Sequence, residues 1–125
     1  MSMLKGNVKQ LTLANTFFRR VISTTDEMQL VLMNLLPGEE IGLETHKDAT
    51  QFFRVEAGSG AIDMDQGKGF KRIALKDDVF VMVPAGTPHN VINTSHYQNL
   101  KLYTIYSPPQ HSVDRVDKVN PAEED

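Results

Sequence analysis

Two histidines, a carboxylate and an amide stand at spacings that let them meet: Glu44, His46 and Gln51 in the first half of the chain, His89 in the second. Glu44 and His46 lie two apart, and on an extended strand that offset sends both side chains from one face. Lys47-Asp48-Ala49 can turn the chain and bring Gln51 back toward the same point from the start of the next β-rich run. His89 follows the tight turn Pro84-Ala85-Gly86-Thr87-Pro88, and a small barrel can carry a residue there across its interior to the other three. Imidazole suits zinc, iron, nickel and copper, while carboxylate and amide oxygens extend the choice to manganese. Two histidines and a carboxylate are also the ligand chemistry of non-haem iron sites with open positions. The expected centre therefore holds one divalent ion: Fe, Mn, Ni or Zn.

The elements that must position this set read as short strands punctuated by turns. Phe17 to Ser23 and Met28 to Leu36 flank Thr24-Thr25-Asp26-Glu27 as a hairpin, and Pro37-Gly38 closes the second strand. Thr50 to Ala57 is aromatic and β-branched, and Gly58-Ser59-Gly60 turns it into Ala61 to Asp65. Gln66-Gly67-Lys68-Gly69 leads to Phe70 to Leu75. Val79 to Val83 is an apolar run too short for a helix and well sized for a buried strand. Asn90 to Thr94 and Leu100 to Tyr106 complete a series whose close spacing predicts an all-β sandwich or barrel. Pro108-Pro109 ends the last strand, because proline has no N–H to give a ladder. The polar tail beyond it is expected to fray over Pro121 to Asp125.

Composition bounds the partners. The 125 residues suffice for one domain with its own core, read as 1–125 with the core at about 15–107. A β-prone run, Val8 to Leu13, is expected to extend it as an N-terminal edge strand. A net charge of −3 gives no basic footprint for nucleic acid. The absence of cysteine excludes disulfides and thiolate ligands and suits a reducing cytoplasm. The first residues carry no apolar leader, and no apolar run approaches the ~20 residues of a membrane helix. A serine–histidine–aspartate arrangement, a phosphate-cradling glycine loop and a reactive cysteine are all missing.

The spacing Gly38-x5-Glu44-x-His46-x4-Gln51-x6-Gly58 resembles the first motif of the cupin superfamily, and Asp78-x5-Pro84-x-Gly86-x2-His89-x3-Asn93 resembles the second. Gln51-Phe52-Phe53-Arg54 and Leu102 to Pro109 further resemble small single-domain bacterial cupins, a group loosely labelled mannose-6-phosphate isomerase-like; that label describes a fold and not a reaction. Three positions depart from the family pattern. Glu44 stands where the first histidine is expected, Gln51 where the glutamate is expected, and Asp78 where the second motif has glycine. The carboxylate has in effect moved between ligand positions, so one negative charge and two imidazoles still face a divalent ion, a net charge of +1.

The resemblance implies a double-stranded β-helix, or jelly-roll, barrel with Glu44, His46, Gln51 and His89 as metal ligands. It also implies a homodimer, with Val8 to Leu13 available to pair with the partner's exposed edge. Asn93 is expected to tie down the turn that positions His89, and Gly58 and Gly86 to serve backbone geometry. Phe53 and Tyr103 are candidates to line the barrel, and Tyr103 and Tyr106 carry hydroxyls for substrate contact. Met82 and Ile105 read as core packing, with the barrel lining as the alternative, and His96 as a surface residue. His111 stands just past Pro108-Pro109, where the tail could fold over the barrel mouth, and reads as a surface residue with a catalytic acid or base as the alternative. The expected function is a metal-dependent enzyme on a small polar or phenolic molecule, by oxygenation, isomerisation or lyase chemistry. The alternative is a non-catalytic module that binds a sugar-like or other small ligand.

Overall fold

Successive side chains of a strand point to opposite faces, so burial alternates along Thr50–Ala57 and Leu100–Ser107, and the structure, a computed structural model describing residues 3–123, builds the molecule around that pair. In chain order the strands are β1 (Arg19–Thr24), β2 (Gln29–Leu35), β3 (Thr50–Ala57), β4 (Ser59–Asp65), β5 (Phe70–Lys76), β6 (Phe80–Val83), β7 (His89–Ile92), β8 (Leu100–Ser107) and β9 (Val116–Asp117). They form a six-stranded sheet in the order β6-β3-β8-β2-β1-β9 and a three-stranded sheet in the order β5-β4-β7, with antiparallel pairing throughout. The two sheets enclose one apolar cluster that includes Val31, Met33, Leu35, Phe53, Val55, Ile62, Val91, Leu100 and Leu102. Each such side chain contributes about 1.5–3 kcal/mol by leaving water. The chain has the expected all-β, double-stranded β-helix architecture.

The N-terminal run departs from expectation. Val8–Ala14 is an α-helix, α1, and not an edge strand. Asn7 caps it, its side-chain oxygen accepting from the backbone N–H of Gln10 at 3.0 Å, which satisfies a helix-start donor. Val8, Leu11, Thr12 and Asn15 are the covered positions, the i, i+3, i+4, i+7 set of one helix face. That face lies against β2, β3 and β8, so β2 is covered along almost its whole length. Lys101 Nζ donates to the Asn15 carbonyl at 2.6 Å and so holds the helix end to the sheet.

The two motif turns owe their shape to backbone freedom. Gly58 sits at φ +103°, and a Cβ there would stand 2.5 Å from the Asn99 carbonyl oxygen, too close for any other residue. Asp78 occupies φ 72°, the one non-glycine residue beyond φ 0° among those described, where the family pattern has glycine. Its carboxylate accepts from Arg54 Nη2 at 3.0 Å. Asn93 is buried and ties three strands' ends together: Nδ2 donates to the Leu35 and Gln98 carbonyls, and Oδ1 accepts from Ser95 N–H.

The tail also holds more order than its composition suggests. Asn120 Nδ2 donates to the Glu40 carbonyl at 2.9 Å, and Pro121–Glu123 forms a 3-10 turn; Glu124 and Asp125 lie outside the described residues. Among the described residues no helix is long and apolar enough to cross a membrane.

Candidate metal centre

The segment between β2 and β3 is too rich in glycine and charge for a regular strand, yet it docks as extended chain on the free edge of β7. Ile41 N–H donates to the Val91 carbonyl at 2.9 Å, and Glu44 and His89 exchange both backbone bonds at 2.8 and 2.9 Å. Gly86 N–H then donates to the His46 carbonyl at 2.8 Å, which ties the first motif to the turn of the second. Backbone pairing thus brings Glu44 and His46 beside His89, and the ladder between β3 and β8 supplies Gln51 from the other sheet.

One ligand atom from each of Glu44, His46 and His89 lies within 4.8 Å of the other two. His46 Nε2 stands 3.9 Å from Glu44 Oε1, beyond hydrogen-bonding reach, and it is buried without any hydrogen-bond partner. A buried lone-pair nitrogen with no partner is costly unless a cation completes it. His89 shows the same tension. Its Nδ1 lies 2.9 Å from the Thr87 carbonyl and its Nε2 lies 3.0 Å from Gln51 Oε1, so both ring nitrogens face acceptors. The Gln51 amide nitrogen donates to Thr104 Oγ1 at 3.0 Å, which turns its oxygen toward His89.

Burial pushes the His89 pKa below its ordinary value, so the ring is neutral and carries one proton for two acceptors. With that proton on Nδ1, held by Thr87, Nε2 and Gln51 Oε1 present two lone pairs to the same space. Two ligand atoms ~2.1 Å from one ion and about 90° apart stand ~3 Å from each other, so this pair suits a shared cation. The residues present fit a divalent metal.

Around these ligands the structure places the other expected site residues unequally. Phe53 is buried with its ring centroid 6.1 Å from His89. Tyr106 is buried and packs edge-on against His46 at 5.2 Å. Burial pushes its phenol well above the ordinary value; the Glu44 carboxylate pushes the same way, while Arg19 and a hydrogen bond from Gln51 oppose. Tyr103 is a correction. It falls on the opposite face of β8, near Phe52 at 6.3 Å, because its position has the other parity from Leu102, Thr104 and Tyr106. Ile105 shares that outer face, and Met82 is half exposed, so neither packs the barrel core.

His111 follows the less favoured of its two readings, with the tail folding inward. It is half-buried and sets its ring edge-on to Tyr106 at 5.2 Å, where a surface position was expected. Buried Gln29 holds it there: Nε2 donates to the His111 carbonyl at 2.8 Å, and Oε1 accepts from the N–H groups of Gln110 and His111. Only the register of Gln29 opposite Tyr106 could have revealed this, since nothing in the local sequence of the tail points inward. His96 is exposed as expected. A separate apolar hollow of about 440 Å³ lies beside α1, lined by Met3, Leu11, Ile22, Met28, Leu30 and Ile105 among others. It is not lined by Glu44, His46, Gln51 or His89.

Known proteins place this architecture. An uncharacterised protein of Acanthamoeba polyphaga mimivirus is 43% identical over 115 residues, spanning 92% of this chain and 71% of its own length. The uncharacterised protein YrkC of Bacillus subtilis is 45% identical over 108 residues; this chain spans 57% of that relative's length. A crystal structure of a Bacillus halodurans protein superimposes with a TM-score of 0.90 at 40% identity, covering 97% of this chain and 92% of that one. The model of the Cupin domain matches residues 31–106, which contain both motifs and all four converging side chains. By this match and by its fold, the chain belongs to the cupin family.

Proposed function

We propose that the protein is a metal-dependent enzyme that binds one divalent ion, Fe, Mn, Ni or Zn, through Glu44, His46 and His89, with Gln51 as the fourth ligand, and acts on a small polar or phenolic molecule. The observation that carries this reading is the convergence of the three ligand atoms within 4.8 Å, with His46 Nε2 buried and unpartnered among them. The ion would supply Lewis acidity, and dioxygen chemistry if it is iron. The chain's own residues do the rest. Thr87 fixes the His89 tautomer, Thr104 orients the Gln51 amide, and Phe53 limits water on the barrel side. Glu44 and His46 stay partly open, so a small molecule has a way in.

Elemental analysis of untagged protein tests this directly, compared with a His46→Ala/His89→Ala variant. A near-stoichiometric ion that the folded variant lacks is the expected result, and its identity directs the substrate screen. A wild-type protein that neither carries nor takes up a divalent ion overturns the reading and leaves a non-catalytic small-ligand module. We also propose a homodimer in which the outer-face cluster of Phe52, Phe80, Met82 and Tyr103 is covered. Its support is exposure, with Phe80 at 61% and Met82 at 51%, in a stack where Phe52 and Phe80 lie 5.7 Å apart.

A further inference from the structure

The tail beyond β8 returns over the large sheet and delivers a chain of polar side chains to Tyr106. Arg115 Nη1 lies 3.0 Å from His111 Nδ1, and His111 Nε2 lies 3.4 Å from the Tyr106 hydroxyl. Arginine has donors only. His111 Nδ1 must therefore be the acceptor, and a neutral ring then carries its proton on Nε2. That proton is donated to Tyr106 Oη, at the long end of hydrogen-bonding range. The phenol oxygen already accepts from His111, and the Gln51 amide hydrogen-bonds to it as well, so its own hydrogen is left to donate away from both. The same Tyr106 ring meets the ring of His46, a candidate metal ligand, edge-on at 5.2 Å.

The anchoring of this chain is substantial for a surface tail. Asp117 accepts from Arg19 Nη1 at 2.7 Å and from Arg115 Nε at 3.0 Å, and β9 pairs with β1 at the same place. Two arginines share one aspartate, which leaves one positive charge behind Tyr106 and His111. In front of Tyr106, one carboxylate and a divalent ion leave another. Both fields favour an anion in the space between.

We propose that Arg115 and His111 are positioning residues that set the Tyr106 hydroxyl as a hydrogen-bond donor to a small carboxylate seated at the metal centre. This rests on the metal-binding reading above and deepens it, naming the ligand class as a monoanionic oxygen acid.

The test uses full-length protein loaded with Co(II), titrated with glycolate and followed by the visible absorption of the bound cobalt. Wild type is expected to show a saturable spectral change. Tyr106→Phe is expected to weaken glycolate by about tenfold, a charged hydrogen bond lost, with cobalt affinity unchanged. Arg115→Met is expected to weaken it by about threefold, and to cost clearly less when added to Tyr106→Phe, because the part of its effect that runs through the phenol is then already lost. In metal-free protein, the ¹⁵N shifts of His111 should report a proton on Nε2 in wild type and lose that fixed tautomer in Arg115→Met.

Cobalt bound with no glycolate response, or additive losses in the double variant, overturns the proposal and leaves the metal reading standing. Failure to bind cobalt at all overturns both. A His111 proton on Nδ1 overturns the relay whatever the metal does.

Discussion

On the inner side of the β3–β8 pair stand Gln51, Phe53, Thr104 and Tyr106; on the outer side of the same two strands stand Phe52, Arg54, Tyr103 and Ile105. The inner set is buried, and each polar atom there has a partner that fixes its orientation. The outer set is aromatic and half-covered, with ring contacts but no convergent ligands. Strand parity alone separates chemistry from packing here. A slip of one residue in register would exchange the two sets, so the bulges and turns that lock the register also lock the site.

Substitutions of like size on the two faces should break this symmetry most visibly. Phe53→Ala is expected to destabilise by about 3–5 kcal/mol through loss of burial and the cavity left behind, whereas Phe52→Ala should cost about 1 kcal/mol. Denaturant midpoints of the two variants measure the contrast, and equal losses would deny it. Gln51→Glu tests the inner face more finely. A second carboxylate in the ligand set is expected to tighten divalent metal binding by about tenfold while destabilising the metal-free protein, as titration calorimetry and thermal melts would record. Unchanged metal affinity would show that Gln51 stands outside the ligand set.

Acidity should reach only the inner face and its tail. His111 is pushed down to about 4 by burial first, then by Arg19, Arg115 and His46, with Asp117 opposing, and His89 is lowered by burial. The unfolded chain, with histidines near their ordinary ~6.5, binds protons that the folded protein excludes. Stability of the metal-free protein is therefore expected to be level above about pH 6.5 and to fall as pH drops toward 4. His111→Gln should flatten part of that slope in pH-dependent melts. The smallest effect on stability belongs to the outer face. Phe80→Asp should change unfolding free energy by less than about 0.5 kcal/mol, yet convert a dimer to a monomer in sedimentation. A wild-type protein that sediments as a monomer would reject the dimer outright.

How much of this was legible from residues alone follows physical lines. Strand positions were readable to within a residue or two at most ends, because β-branched runs are cut by Pro and Gly at Pro37, Gly58, Gly67 and Pro84, where the chain must turn. The grouping of Glu44, His46, Gln51 and His89 was readable because motif spacing encodes strand offsets. The helix at Val8–Ala14 was not. Only Val8 and Thr12 in it are β-branched; Lys9, Gln10, Leu11, Leu13 and Ala14 favour helix, and with the Asn7 cap and the face at 8, 11, 12 and 15 they carried a helical signal that the strand-rich surroundings masked. Tyr103 was misplaced because two tyrosines three apart cannot share a face, and only cross-strand register tells which one points inward. The course of the tail at His111 stayed open between surface and barrel mouth because its partners, Gln29 and Tyr106, are tertiary neighbours.

The place of β8 in the large sheet has a consequence for how the molecule comes into being. It leaves the ribosome after both β2 and β3, yet it lies between them, near the middle of the sheet. Until residues 100–107 are available, β1–β2 and β3–β6 are separate hairpin-like halves with exposed edges, and Gln51 has neither Thr104 nor Tyr106 beside it. Closing such long loops is slow, in the millisecond-to-second range typical of non-local β topologies. The candidate centre thus cannot be complete before residues 100–107 are made, and a shorter nascent chain offers a metal only part of it.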